Sequence, residues 1–260
     1  MRLATPLTLV SGSGGVHSEP VAAQEGENVL SVLMSWLLRG LMAISGVVLV
    51  YQGLPVALSA FQAQKADAVV TRLRRVEPFT APAVLAGIEA LNRAVSLEPV
   101  AWRYLQRSEL ETGGALTANI DFSPEIRTAW LQRSKADLEL ALARAPARTM
   151  DWLRLATTMQ SLDGPSRAVI GPLMMSIKTG PWLEAAFFSR LRLIVDNWAY
   201  FSDEQKVEVR SATSGMWRRS RDQRYFAWNV LNPVDELIIR NLLRDEPGAQ
   251  EQLTVWILTK

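Results

Sequence analysis

The chain has no cysteine, which excludes disulfide staples, thiolate zinc sites, iron–sulfur centres and cysteine nucleophiles. Histidine is nearly missing as well. The single one, His17, stands in a Gly-, Ser- and Ala-containing leader, so neither a serine–histidine hydrolase pair nor the His-Glu-x-x-His set of a zinc peptidase can be assembled. No Walker-type lysine loop or glycine-rich phosphate fingerprint occurs, and no cofactor or metal is expected. An excess of one charge is also lacking: 28 Lys plus Arg stand against 26 Asp plus Glu, too balanced for a dedicated nucleic-acid partner. Repeated β-branched runs are absent, which argues against a sheet.

What the sequence does have is one long apolar run. Gly40 to Ala60 comprises 21 residues without a charge, with Gln52 as its strongly polar exception. At about 1.5 Å per helical residue, that length crosses a hydrocarbon layer of roughly 30 Å. Leu30–Leu38 is also apolar, so Arg39 is the one charge in that neighbourhood. A charge at mid-bilayer is costly, which places Arg39, with Trp36, at the membrane interface and most of the span after it. Lys65, Arg72, Arg74 and Arg75 follow the span, and a positive-inside count alone would keep the following domain cytoplasmic. Arg39 before the run, Pro55 within it and the small-x-small pair Ala57 and Ser59 have instead the order of a signal anchor. The expectation is a single-pass protein of the bacterial inner membrane with a periplasmic C-terminal domain, left open to cleavage after Ser59.

Organisation follows from composition and punctuation. Positions 1–28 read as a flexible tail, 29–60 as the transmembrane or signal-anchor segment, 61–79 as a membrane-proximal linker helix ended by Pro78 and Pro82, and 80–260 as a helical domain. Val84, Ile88, Leu91 and Val95 make one buried face of a helix reaching Leu97. Pro99 opens a short helix to Leu110, and the glycine-containing stretch Thr112–Phe122 reads as irregular. Ser123-Pro124 starts a helix to Ala145. Asp151 or Thr149 is expected to cap Trp152–Leu162, and Asp163-Gly164-Pro165 separates it from Ser166–Ile177. Thr179-Gly180-Pro181 opens an amphipathic helix carrying Trp182, Ala186, Leu191, Ile194 and Trp198. Ser202 and Gln205 have capping-box spacing, Asn232-Pro233 begins a helix to Leu243, and Gln250–Leu258 is a helix or a strand. The nine tryptophans are expected mainly in helix–helix cores.

The fold class is therefore all-α. Ala94–Pro99 and Ala141–Pro146 both place a small residue five positions before a proline at a helix junction, and Pro146 is followed after 35 residues by Pro181. Helix pairs at about this period resemble a degenerate tetratricopeptide-repeat solenoid across Ala81–Trp198. Trp102, Trp152 and Trp182 fall early in candidate first helices, although the Leu-Gly pair of the family pattern is missing and Pro99 to Pro146 is 47 residues. An irregular helical bundle stays open as the alternative. The resemblance implies a concave surface for a peptide or protein partner, and such domains accompany bacterial machinery for surface polysaccharides.

One basic cluster stands out: Arg218, Arg219, Arg221 and Arg224, interleaved with Trp217 and Tyr225. Arginines among aromatics suit an anionic glycan, a lipid headgroup or a protein contact, so these six residues are the candidate partner-binding set. Acid pairs such as Asp203-Glu204 and Asp235-Glu236 sit at helix starts, where capping explains them, and Glu109 and Glu111 read as ordinary acids near a helix end. No catalytic residue is assigned. The expected function is a noncatalytic membrane-associated scaffold or assembly factor that binds another envelope or membrane protein. A carbohydrate-active envelope enzyme using carboxylates and arginines, and a structural subunit of a membrane complex, are the alternatives.

Overall fold

A computed structural model describes residues 21–117 and 120–259, the side chains of 21–30 excepted, and among them every regular element is helical. The expected tail is helical over 21–28, and its remainder, including His17, lies outside the described residues. Helix α1 runs Val21–Arg74 with Pro55 inside it; proline lacks the N–H that would pair with the carbonyl four residues back, yet the helix continues. The chain divides into two compact units, 1–54 and 55–260.

In the first unit α1 is the one helix, among the described residues, long and apolar enough to cross a membrane, and its most apolar stretch is unburied. This supports a single-pass topology. Trp36 and Arg39 stack at 5.8 Å on its exposed surface.

In the second unit, α1 changes character at Ser59. Ser59, Ala63, Ala66, Val69 and Val70 are buried at helical spacing, and the Ser59 hydroxyl donates to the Ala94 carbonyl at 3.0 Å. The domain therefore begins well before Pro78 and Pro82, because the small side chains of this stripe let α1 pack closely on α2 (Ala81–Leu97). The stretch expected as a linker is part of the core. Helix α1 ends in a Schellman turn: the Val76 N–H donates to Leu73 at 3.1 Å and the Glu77 N–H to Arg72 at 2.9 Å. Val76 takes the left-handed conformation usual for glycine, at φ 56°.

Helix α3 (Ala101–Leu116) continues through Gly113 and Gly114 instead of breaking at Thr112. A Cβ on Gly113 would stand 2.3 Å from a Leu73 methyl, and one on Gly114 3.0 Å from Val84. These glycines serve close helix contact, not irregularity. Helix α4 (Pro124–Arg144) is capped by Ser123 as its sequence dictates. Helix α5 (Thr149–Asp163) starts earlier than expected, with no side-chain cap: Thr149 bonds Thr179 instead, and Asp151 is taken by Arg148. Helix α6 (Arg167–Thr179) is closed by Arg190, which is fully buried. It donates to the Ser176 hydroxyl at 3.1 Å and to the carbonyls of Ser176 and Gly180, satisfying groups the helix end leaves open.

After Gly180-Pro181 the chain makes a turn and a short 3₁₀ segment, so α7 begins at Phe187 and runs to Asp196. Ala186, Leu191 and Ile194 are buried as the stripe predicts, while Trp182 precedes the helix and stays half exposed. Helix α8 (Asp203–Arg219) carries the complete capping box. The short α9 (Tyr225–Trp228), α10 (Pro233–Leu242), capped by Asn232, and α11 (Ala249–Leu258) finish the unit.

Each of α2 to α6 packs on its neighbour in sequence, while α3 also touches α5 and α5 touches α7. Stacked helix pairs with one member of each pair in a common row produce that pattern. The apolar core has two large clusters, one from Ala63 to Leu131 and one from Leu153 to Leu253, with a small cluster around Leu105, Leu138 and Leu142 beside them. Of the tryptophans, Trp130 and Trp217 are buried. Trp130 meets Phe122 edge-on at 4.7 Å.

Candidate functional site

The basic–aromatic segment splits by burial. Trp217 and Tyr225 face inward, Trp217 meeting Phe226 at 5.1 Å and Trp256 at 5.8 Å, so these two rings serve the core. The four arginines take separate neighbours. Arg218 lies 3.4 Å from Glu246. Arg219 stacks on the Trp182 ring at 3.8 Å, and that ring lies against Gly215, where a Cβ would approach to 2.4 Å. Arg221 pairs with Glu184 at 3.6 Å, and its backbone N–H donates to the same carboxylate at 2.8 Å. Arg224 borders a separate hollow of about 380 Å³ beside Trp228 and Trp256.

A second concavity draws residues from three helices of the common row. It measures about 410 Å³. Arg74 comes from the last turn of α1, and Trp102, Gln106 and Glu109 repeat down one face of α3. Arg148 stands at the start of α5, followed by Met150, Asp151 and Arg154 on its first turns, with Leu105 as apolar floor. The charges form one alternating ladder. Arg74 donates through Nε and Nη2 to both Glu109 oxygens, each at 2.6 Å. Glu109 is 4.0 Å from Arg154, Arg154 donates to Asp151 at 2.8 Å, and Asp151 accepts from Arg148. Burial pushes the Glu109 carboxyl up, but the Arg74 hydrogen bonds and the Arg154 and Arg74 charges outweigh it and leave the group below its ordinary value. The same hydrogen bond raises Arg74. Every oxygen of the two carboxylates thus accepts from an arginine, and an arginine stands at either end. Beside them Trp102 is held by the buried Arg103 guanidinium, stacked at 3.3 Å from its ring centroid.

Behind this face lies a buried polar layer. Arg107 grips both Asp137 oxygens at 2.7 and 2.8 Å and reaches Asn92 at 3.0 Å. Thr112, Ser134 and Thr158 join hydroxyls across α3, α4 and α5. Glu111, expected as an ordinary acid, is fully buried. One of its oxygens accepts from Arg133 Nε, while the other is buried without a hydrogen-bond partner. Burial pushes its carboxyl up to about 7 against the pull of Arg133 and Arg107. Asp235 is also buried, bonded to Arg192 at 3.0 Å and to the Leu231 N–H at 3.0 Å.

The cleft was not visible in the sequence, because its charges come from 74, 109 and 148–154, and only the packing of α1, α3 and α5 brings them together. The spacing of Trp102, Gln106 and Glu109 on one helical face was the available signal. No family model matches the chain, and no curated protein or solved structure is detectably similar to it.

Proposed function

We propose that this chain is a single-pass scaffold of the bacterial inner membrane, whose helical domain is periplasmic and holds a segment of another envelope protein in the cleft between α1, α3 and α5. The observation that carries this reading is the cleft itself: a satisfied ladder of charges beside a fixed, half-exposed tryptophan and a methionine, set on successive helices of one row. Such surfaces provide rigid anchors with polar specificity. The helix pairs α3/α4 and α5/α6 are read here as degenerate tetratricopeptide-type repeats, and the assembly served is read as one for a surface polysaccharide.

A photo-crosslinking residue placed at Met150, which is 42% exposed in the cleft, is expected to give one stoichiometric protein adduct in intact membranes. The same residue at Glu139, exposed on α4, is expected to give none. Absence of an adduct at Met150, together with turnover of a defined saccharide by the isolated chain, would replace the scaffold with an enzyme.

A further inference from the structure

The ladder specifies what kind of segment the cleft accepts. It holds three arginines and two carboxylates, and each carboxylate lies between two arginines. A basic ligand would find no free acid and would meet guanidinium at both ends. An acidic ligand finds the reverse. Arg74 and Arg148, the terminal members, keep side chains that are 62% and 52% exposed. Arg74 commits Nε and Nη2 to Glu109, and Arg148 commits Nε to Asp151, so outward N–H groups remain for a carboxylate, whose two oxygens match a guanidinium fork. The two acids hold the arginines in place, so a ligand carboxylate meets donors already ordered, and little side-chain entropy is left to lose.

The apolar half of the cleft makes a second demand. Trp102 is 42% exposed although Arg103 covers one of its faces, and Met150 is exposed to the same extent, with buried Leu105 beneath. A tryptophan held in place and an adaptable thioether reward one apolar side chain of the ligand. Sugar hydroxyls would need acceptors. Every oxygen of Glu109 and Asp151 is already engaged by an arginine, and the Gln106 oxygen accepts from Arg103 at 3.0 Å. A peptide suits this lining better than a glycan.

Building on the partner-binding reading above, we infer that the occupant is a peptide segment that sets an aspartate or glutamate beside a large apolar residue. The carboxylate bridges to Arg74 or Arg148 and the apolar side chain rests on Trp102 and Met150.

The test uses the full chain in lipid nanodiscs and a randomised heptapeptide display library, followed by anisotropy on labelled winners. Winners are expected to pair Asp or Glu with Leu, Met or Phe. Changing the acid to its amide is expected to weaken binding about tenfold, the scale of one charged contact. Arg148→Glu is expected to do the same, as is Arg74→Gln, a milder change that leaves Glu109 its Arg154 neighbour. Raising salt from about 50 to about 500 mM should also weaken binding several-fold. Winners without an acidic bias that are still lost in Trp102→Ala would overturn the acidic chemistry while leaving the partner-binding reading intact. Winners indifferent to Trp102→Ala and Arg148→Glu alike, or no winners at all, would overturn both. Oligogalacturonate binding that Arg148→Glu abolishes, with no peptide selected, would replace the peptide with an anionic glycan.

Discussion

Glu111 shows how a single buried oxygen sets a pH response. Its carboxyl titrates near 7 in the folded protein against an ordinary value of 4.5. Between those two pH values the folded state keeps a proton that the unfolded chain has released, so stability falls as pH rises through this window and levels off above it. Glu111→Gln removes the titration while keeping an acceptor for Arg133. The substitution is expected to leave urea stability at pH 5 within about 1 kcal/mol of the parent and to raise it at pH 8 by about 2 to 3 kcal/mol. Parallel stability curves for the two proteins across that range would show that Glu111 carries no such linkage. The sequence could not have announced this, because Glu109 and Glu111 look alike two positions apart. Helical geometry turns one to the cleft and the other into the α3–α4 contact, where desolvation dominates.

Elements were legible where their signals are local. Ser123, Ser202 and Asn232 all cap the helices they precede, since a cap needs only the next three residues. Elements are hidden from the sequence where the deciding partner is distant. Gly113 and Gly114 look like breakers until Leu73 and Val84 approach them, and Trp182 looks like a helical residue until Gly215 and Arg219 receive its ring. The end of α1 belongs to a third kind, a local feature that contradicts its own residue. Val76 is 91% exposed and left-handed, a conformation that costs a β-branched side chain about 1 kcal/mol or more and glycine almost nothing. Val76→Gly is therefore expected to stabilise the domain by about 1 kcal/mol, read as a higher urea midpoint with an unchanged slope. A loss of stability would mean that the turn is held by something other than its backbone geometry.

For the molecule as a whole, the all-α class and the apolar helix were legible, because periodicity and a long uncharged run need no knowledge of tertiary contacts. The cleft was not, since it depends on which helices share a row. The place where the anchor ends was only partly so. Ala57 and Ser59 have signal-peptidase spacing, yet Ser59 is buried and bonded to Ala94. The membrane-bound product is therefore expected to retain its apolar helix. Intact mass of the purified protein checks this, and a mass beginning at Ala60 would contradict it. Because the chain lacks cysteine, one introduced at exposed Asp245 gives a clean test of sidedness. Labelling by an impermeant maleimide in cells with a permeabilised outer membrane is expected for a periplasmic domain, and labelling only after the inner membrane is opened would reverse the assignment. The division of the apolar core also has a meaning for synthesis. Among the described residues, the apolar cluster from Ala63 to Leu131 uses almost nothing later in the chain, with half-buried Leu162 its one late apolar neighbour. At about 5 to 20 residues per second, the remaining helices emerge on the order of ten seconds after it is complete. The first part of the domain can thus be folded while the rest is still being translated, and each later helix meets a surface already formed.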